Sequence, residues 1–398
     1  MKKYLILILI KSICLTVAFA NNEINDASNL LKLSASRLNE IKTVSYIYKR
    51  EINNYKNNYF DKTSANCFIN FEKSNEANAF NFQFSNADGL TQIYNGTEYF
   101  TLDKKDKTME VITNPSAKTF NSLSNCYNSI PVLRNMLGTL AIDDSVNKSK
   151  KDTVIEGKQY DVINLTLQNK ALDYVKGYRT YSVNFNTLYK LILDSKTHLP
   201  YQIIETNSLD KDKYSTVTTF VNLQVNPSEP ADLSWFYSTY LNVYHQKKKE
   251  KSLPQIITKQ TLPNWNLPVL NSDKDTTLSK FDFNEKIVVM DFWIKNCGPC
   301  MESFPKLKAL QNKYGKEKFQ LLTLNSYDDK KDVEFFFKRE KPAYLMLYKG
   351  QELAKKLGIN SYPTVVIIDK DGQVLQLFNG FDFDAIDKVI ATNLYRKK

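Results

Sequence analysis

The sequence predicts two folded units in series. The first is an α+β unit whose antiparallel sheet curls into a half-barrel, and the second is an α/β unit. Three observations carry this expectation. After one helical stretch, apolar residues recur with period two through much of the first 224 residues; strand and helix patterns alternate over the last part of the chain; and a lysine- and proline-rich run separates the two. A chain of 398 residues also exceeds the size at which a single core keeps growing.

The first twenty residues differ from the rest. Lys2 and Lys3 precede the apolar run Tyr4 to Ile10, and a second run, Ile13 to Phe19, ends at Ala18-Phe19-Ala20. A charged start, an apolar core and a small-x-small end read as a secretory signal over residues 1–20, cleaved after Ala20. Lys11 interrupts the core and argues against a spanning helix, which needs about 20 apolar residues. Ile13 stands where a lipoprotein site at Cys14 would need a small residue. The expected location is periplasmic or otherwise extracytoplasmic, soluble after cleavage. Cleavage removes Lys2, Lys3 and Lys11, taking the formal charge from +11 to +8. The surplus is scattered apart from Lys148 to Lys151 and Lys247 to Lys249, which reads as solubility; no nucleic-acid module is visible.

From Ile24 to Ile41, Ala27, Leu30, Leu31, Ala35, Leu38 and Ile41 recur at helical spacing. Val44, Tyr46 and Tyr48, then Phe80, Phe82 and Phe84, alternate as strands do. Ile93-Tyr94, Asn95-Gly96 and Tyr99 to Leu102 read as a hairpin with a type I′ turn, followed by a strand at Met109 to Ile112. A short helix is expected around Pro131. Strands resume at Tyr160 to Leu167, Tyr181 to Phe185, Leu188 to Leu193, Pro200 to Thr206 and Thr216 to Gln224. The helix-first order, the phrase YNGTEYFTLDKKDKTMEV and the later LILDSKTHLPYQIIETN resemble LolA-like lipoprotein-carrier half-barrels. The resemblance implies a concave apolar face over residues 21–245 that would hold a lipid or apolar segment; aromatics at strand spacing are equally read as plain core.

His245 to Trp265 reads HQKKKEKSLPQIITKQTLPNW, a linker placed at 246–262 before a second unit at 263–398. There, strands are expected at Ile287 to Trp293, Phe319 to Leu324, Ala343 to Leu347, Thr364 to Ile368 and Val374 to Phe378. Helices are expected at Cys300 to Tyr314, Lys331 to Arg339, Gln351 to Leu357 and Phe383 to Tyr395. Asp369-Lys370-Asp371-Gly372 joins the last two strands as a hairpin.

The chemistry concentrates in IVVMDFWIKNCGPCMESFP, Ile287 to Pro305. Cys297 and Cys300 sit where a strand gives way to a helix. A free thiol with pKa about 8.5 is mostly protonated at neutral pH. At a helix start, the dipole and free N–H groups favour the Cys297 thiolate. Gly298 lets the chain turn and Pro299 fits a first-turn position. Cys297 is therefore read as the attacking sulfur and Cys300 as the resolving one. Zinc would need about four ligands, and His198 and His245 lie far from any cysteine in sequence. An inert structural disulfide is the plain alternative. No Thr-x-x-Cys pattern suggests a peroxidase, and no cofactor is indicated. Cys67 and Cys126 either close a loop of roughly sixty residues, worth about 4 kcal/mol as a disulfide, or stay free and buried.

DFWIKNCGPC followed by Tyr362-Pro363-Thr364 resembles the thioredoxin fold. LPNWNLPVLNSDKDTTLSKF ahead of it makes the unit similar to TlpA/ResA-like thiol–disulfide oxidoreductases. The resemblance implies Asp291 as a buried acid beneath the pair, Pro363 as a cis-proline facing it, and Tyr362, with Trp293, on the substrate side. It also implies protein thiol/disulfide clients and a membrane thiol reductant conductor as electron source. Two positions depart from the family: Asn296 replaces a Trp, and Ser303 replaces a Glu, with Glu302 turned about 100° away. The Gly-Pro dipeptide matches reducing thioredoxins, with potentials of about −270 mV. Three readings follow: a reductase of protein disulfides, an apolar-ligand carrier with an accessory redox unit, and a disulfide isomerase.

Overall fold

The computed structural model describes residues 26–394 except 57, 73–79, 121–122, 174, 176, 181–184, 248–255, 271–275, 296 and 316, and omits the side chains of 117 and 118. The expected signal at 1–20, most of the strand expected at 181–185, and Asn296 lie outside the described residues. The chain divides into two compact units between Lys248 and Lys249. No helix among the described residues is long and apolar enough to cross a membrane.

The N-terminal unit opens with α1 (26–39). Strands follow at β1 Thr43–Asn54, β2 Tyr59–Asn70, β3 Asn81–Asn86, β4 Leu90–Tyr94, β5 Glu98–Asp103 and β6 Thr108–Thr113. Two helices interrupt, α2 Ala117–Phe120 and α3 Ile130–Ile142, before β7 Val146–Ile155 and β8 Lys158–Gln168. A small ribbon, β9 Lys170–Leu172 with β10 Tyr178–Thr180, precedes β11 Asn186–Asp194, β12 Pro200–Asn207, β13 Tyr214–Val225 and β14 His245–Gln246. Twelve strands form one sheet in the order β14-β6-β5-β4-β3-β2-β1-β13-β12-β11-β8-β7. Its pairs are antiparallel except the edge pair β14–β6.

Helices α1 and α3 cover one face. Ala27, Leu31, Leu38, Leu133, Leu137 and Leu140 pack on Tyr46, Tyr48, Ile69, Phe82, Phe84 and Tyr94 from the sheet. The expected apolar face is thus filled by side chains: Phe82 stacks on Phe84 at 4.3 Å, and Phe120 lies 4.8 Å from Tyr94. Arg134 of α3 fastens α1, its guanidinium donating to the carbonyls of Leu38, Ile41 (2.8 Å) and Asn39 (3.1 Å). These are the carbonyls that a helix end leaves without partners. On the opposite face, Trp235 and Tyr244 cover Phe68, Ile93, Phe100, Leu102 and Met109.

Two expectations are corrected. The β4–β5 turn is closed by Asn95 N–H to Glu98 O at 3.2 Å, with Gly96 at φ +103°. Type I′ needs positive φ at both central residues, and Thr97 is not among the described residues with positive φ. A single Gly at the first central position is the type II′ pattern. Of the two states open to Cys67 and Cys126, the structure shows the free, buried one. Residues 256–262 of the expected linker belong to the second unit, because Ile256 and Leu262 are buried in its core. Their N–H groups donate to Leu357 O (3.0 Å) and Gly372 O (3.0 Å).

The second unit begins with the pair β15 Asn266–Pro268 and β16 Thr277–Ser279. Its main elements are β17 Ile287–Trp293, α4 Gly298–Tyr314, β18 Phe319–Asn325, α5 Lys330–Glu340, β19 Leu345–Leu347, α6 Gln351–Lys356, β20 Thr364–Ile368, β21 Val374–Asn379 and α7 Phe383–Leu394. The sheet order is β19-β18-β17-β20-β21. β17 is central, parallel to β18 and antiparallel to β20, and all seven of its residues are buried. Period two divides them between two cores. Val288, Met290 and Phe292 face Trp265, Leu353 and Leu357. Ile287, Val289 and Trp293 face Phe304 and Leu307 of α4, Phe336 of α5, and Ile386 and Ile390 of α7.

Candidate active site

The site lies where β17 ends and α4 begins. Cys297 is the N-cap of α4, at φ −108° and ψ 102°, and its Sγ accepts the Cys300 N–H at 3.1 Å. Its carbonyl accepts the Met301 N–H at 3.1 Å. The helix thus starts two residues earlier than the expected Cys300, because Gly298 and Pro299 complete the first turn. Cys297 and Cys300 form a disulfide with their Cα atoms 5.2 Å apart. Cys297 keeps 8% of its surface exposed while Cys300 keeps 0%. One sulfur is therefore accessible and the other sits behind it.

Asp291 lies between Val289 and Trp293 in the alternation of β17, on the face covered by α4 and both cysteines. It is fully buried, and neither carboxylate oxygen has a hydrogen-bond partner among the described residues. Burial alone drives its pKa well above the ordinary carboxylate range. At neutral pH the group is thereby drawn toward its protonated form.

The Tyr362–Pro363 bond is cis. Pro363 is buried and its carbonyl accepts the Gly380 N–H at 2.8 Å. Tyr362 packs against both cores of the unit. Trp293, expected on the substrate side, is instead fully buried, edge-on to Phe304 and Phe336 at 5.2 Å each. A strand covered on both faces has no solvent side for it to occupy. Ser303 is buried and its hydroxyl donates to Cys300 O at 2.8 Å, while Glu302 is exposed, as its helical angle required.

Several neighbours were not legible in the sequence. Ser326 N–H donates to Trp293 O at 3.1 Å, which ties the loop after β18 to the end of β17. The Lys295 N–H donates to Asp328 Oδ2 at 2.6 Å, Asn325 Nδ2 donates to the same oxygen at 2.7 Å, and Lys295 Nζ pairs with Asp332. Exposed Tyr327 meets Tyr362 edge-on at 5.9 Å. Tyr344 is buried on the same face as Asp291, and burial, with the Asp291 charge second, drives its pKa up. Each depends on segments brought together by the sheet, and no local spacing announces them. Among the described residues no group of side chains is arranged to hold a metal ion.

A Cys-x-x-Cys pair with one accessible and one buried sulfur, at a helix N-terminus and beside a buried acid, is suited to exchange between thiol and disulfide. Residues 257–390 match the family model described as Redoxin. The thiol-disulfide oxidoreductase ResA of Bacillus thuringiensis subsp. konkukian (strain 97-27) is 32% identical over 100 residues, which are 25% of this chain and 58% of that protein. ResA of Geobacillus kaustophilus (strain HTA426) is 26% identical over 145 residues, 36% of this chain and 78% of that protein. A thioredoxin family thiol:disulfide interchange protein of Chlorobium tepidum TLS is 18% identical, with a TM-score of 0.31 over 35% of this chain and 99% of that structure. The chain thus spans 58% of the length of the first of these relatives. The C-terminal part is a redoxin, thioredoxin-like domain with a Cys-x-x-Cys pair, similar to the ResA thiol-disulfide oxidoreductases.

Proposed function

We propose that the protein is an exported thiol–disulfide oxidoreductase that reduces protein disulfides. In the dithiol form, the Cys297 thiolate attacks one sulfur of a client disulfide and the client's other sulfur leaves as a thiolate. Asp291, as carboxylate, takes the Cys300 proton. The Cys300 thiolate then attacks Cys297 Sγ, the second client sulfur leaves, and the Cys297–Cys300 disulfide remains. Two electrons pass to the client, and a membrane thiol reductant conductor would return them. Tyr362, whose backbone has no hydrogen-bond partner among the described residues, would pair with the client strand beside Pro363. The observation that carries this reading is the asymmetry of the pair, 8% against 0% exposed, beside a buried acid whose pKa burial raises. Insulin reduction by dithiothreitol, compared between wild type and Cys297→Ser, tests it; equal rates would sink the reading.

For the N-terminal unit we read the helix-first sheet as a LolA-like half-barrel that receives an apolar client segment or lipid. The helix-first order and the one long, mostly antiparallel sheet support this, and a ligand would enter by displacing the side chains that fill the face under α1 and α3. Native mass spectrometry of the purified chain should show a co-purifying apolar ligand; a bare polypeptide mass counts against it.

A further inference from the structure

The exchange reading leaves one question about Asp291: what meets its charge when it gives up its proton in a buried place. Asp291 lies in register with Thr323 of β18 on one side and Val365 of β20 on the other. Side chains of in-register neighbours share a face, with Cβ atoms about 5 Å apart. Val365 is apolar and sits in the core beside α4. Thr323 is fully buried, and its hydroxyl has no hydrogen-bond partner among the described residues. A buried polar atom of this kind is uncommon in a folded protein. Here an unpartnered donor and an unpartnered carboxyl occupy adjacent places on one face of one sheet.

The other groups on this face do not duplicate that role. The cysteines, in the disulfide, do not titrate. Tyr344 precedes β19 and is itself disfavoured as an anion by burial and by the charge of Asp291. Glu340 ends α5 and is held by Arg339 at 2.6 Å. From α7, Ile386 and Ile390 contribute hydrocarbon. Trp293 Nε1, two residues along β17, is a second unpartnered donor, but its indole is fixed edge-on between Phe304 and Phe336. A threonine hydroxyl reorients freely and both donates and accepts.

We propose that Thr323 is the positioning residue of Asp291, its hydroxyl donating to the carboxylate whenever Asp291 is ionised. This rests on the proposed exchange function and on Asp291 as its base. The hydroxyl acts on the charged form only, so it lowers the pH at which Asp291 becomes competent to take the Cys300 proton. A valine at 323 keeps shape and strand preference while deleting the donor; a serine keeps the donor.

The test is the pH dependence of the resolving step in the full-length protein. A preformed mixed disulfide of Cys297 with a small aromatic thiol is followed by release of the chromophore. Wild type should show a rate that rises with pH through the Asp291 ionisation. Thr323→Val should move that rise upward by about one pH unit, the tenfold effect of losing a hydrogen bond to a charged group, while Thr323→Ser keeps the wild-type profile. An unmoved profile in Thr323→Val, or a shift reproduced by Tyr344→Phe instead, overturns the assignment. Asp291→Asn separates the two levels. If it leaves the rise intact, the base itself is misassigned; if it abolishes the rise while Thr323→Val does nothing, only the role of Thr323 fails.

Discussion

Replacing Asp291 by asparagine should stabilise the oxidised C-terminal unit at neutral pH and flatten its pH dependence. The wild-type carboxyl is fully buried with both oxygens unpartnered among the described residues, so burial disfavours its charge, and the hydroxyl proposed above for Thr323 offsets only part of that cost. Its native pKa is raised well above the ordinary value by that burial. Between the unfolded value, about 3.9, and the raised native one, the folded state holds a proton that the unfolded state has lost. Stability therefore falls as pH rises across that window and levels off once the native group ionises. Each unit of separation is worth about 1.4 kcal/mol at the upper end. Asparagine carries no such linkage, and its advantage should vanish as pH approaches 4. Pulse proteolysis in urea between pH 4 and 8, following the C-terminal fragment, reads this directly. Parallel pH profiles for the two proteins would refute the buried, unpaired acid.

Cys300→Ser should accumulate a mixed disulfide between Cys297 and client, visible on non-reducing gels, while Cys297→Ser traps none. Cys67 and Cys126 should resist N-ethylmaleimide in the folded protein and react fully in guanidinium. Burial pushes the Cys126 thiol up to about 12 and the Cys67 thiol further, its neighbour Cys126 adding to the effect; labelling without denaturant, or a bridge found by non-reducing mass analysis, would contradict this. Arg134→Met should destabilise the N-terminal unit by about 1–3 kcal/mol, since it strands the carbonyls at the end of α1. Its effect should appear in the urea midpoint of that unit alone.

The C-terminal sheet was legible because its strands carry their own signal. IVVMDFW is continuously apolar around one acid, and β17 runs from Ile287 to Trp293 as expected. The Cys-x-x-Cys pair is legible because its chemistry lies in short spacing, whereas Asp291 is singled out by the resemblance to the thioredoxin fold. Strands β2 and β7 went unread, since TSAN and NKSKKD hold no alternation; pairing with β1 and β8 makes them strands. Lys148, read as part of a surface charge run, is buried with its ammonium donating to Asp143 O at 2.8 Å. Trp293 was misplaced for a related reason: period two marks a solvent face only when one face of a sheet is open. The meeting of Tyr327 with Tyr362, and the pairing of Thr323 with Asp291, depend on register between strands, which no local pattern encodes.

In the proposed function, Cys297 and Cys300 form a two-electron couple poised to reduce other proteins. Equilibrating the full-length protein with defined dithiothreitol or glutathione mixtures, and counting the alkylated thiols of this pair by mass, measures its potential. The account predicts a single two-electron transition near the reducing thioredoxins, about −270 mV; a value near the strong oxidants, about −120 mV, would contradict it.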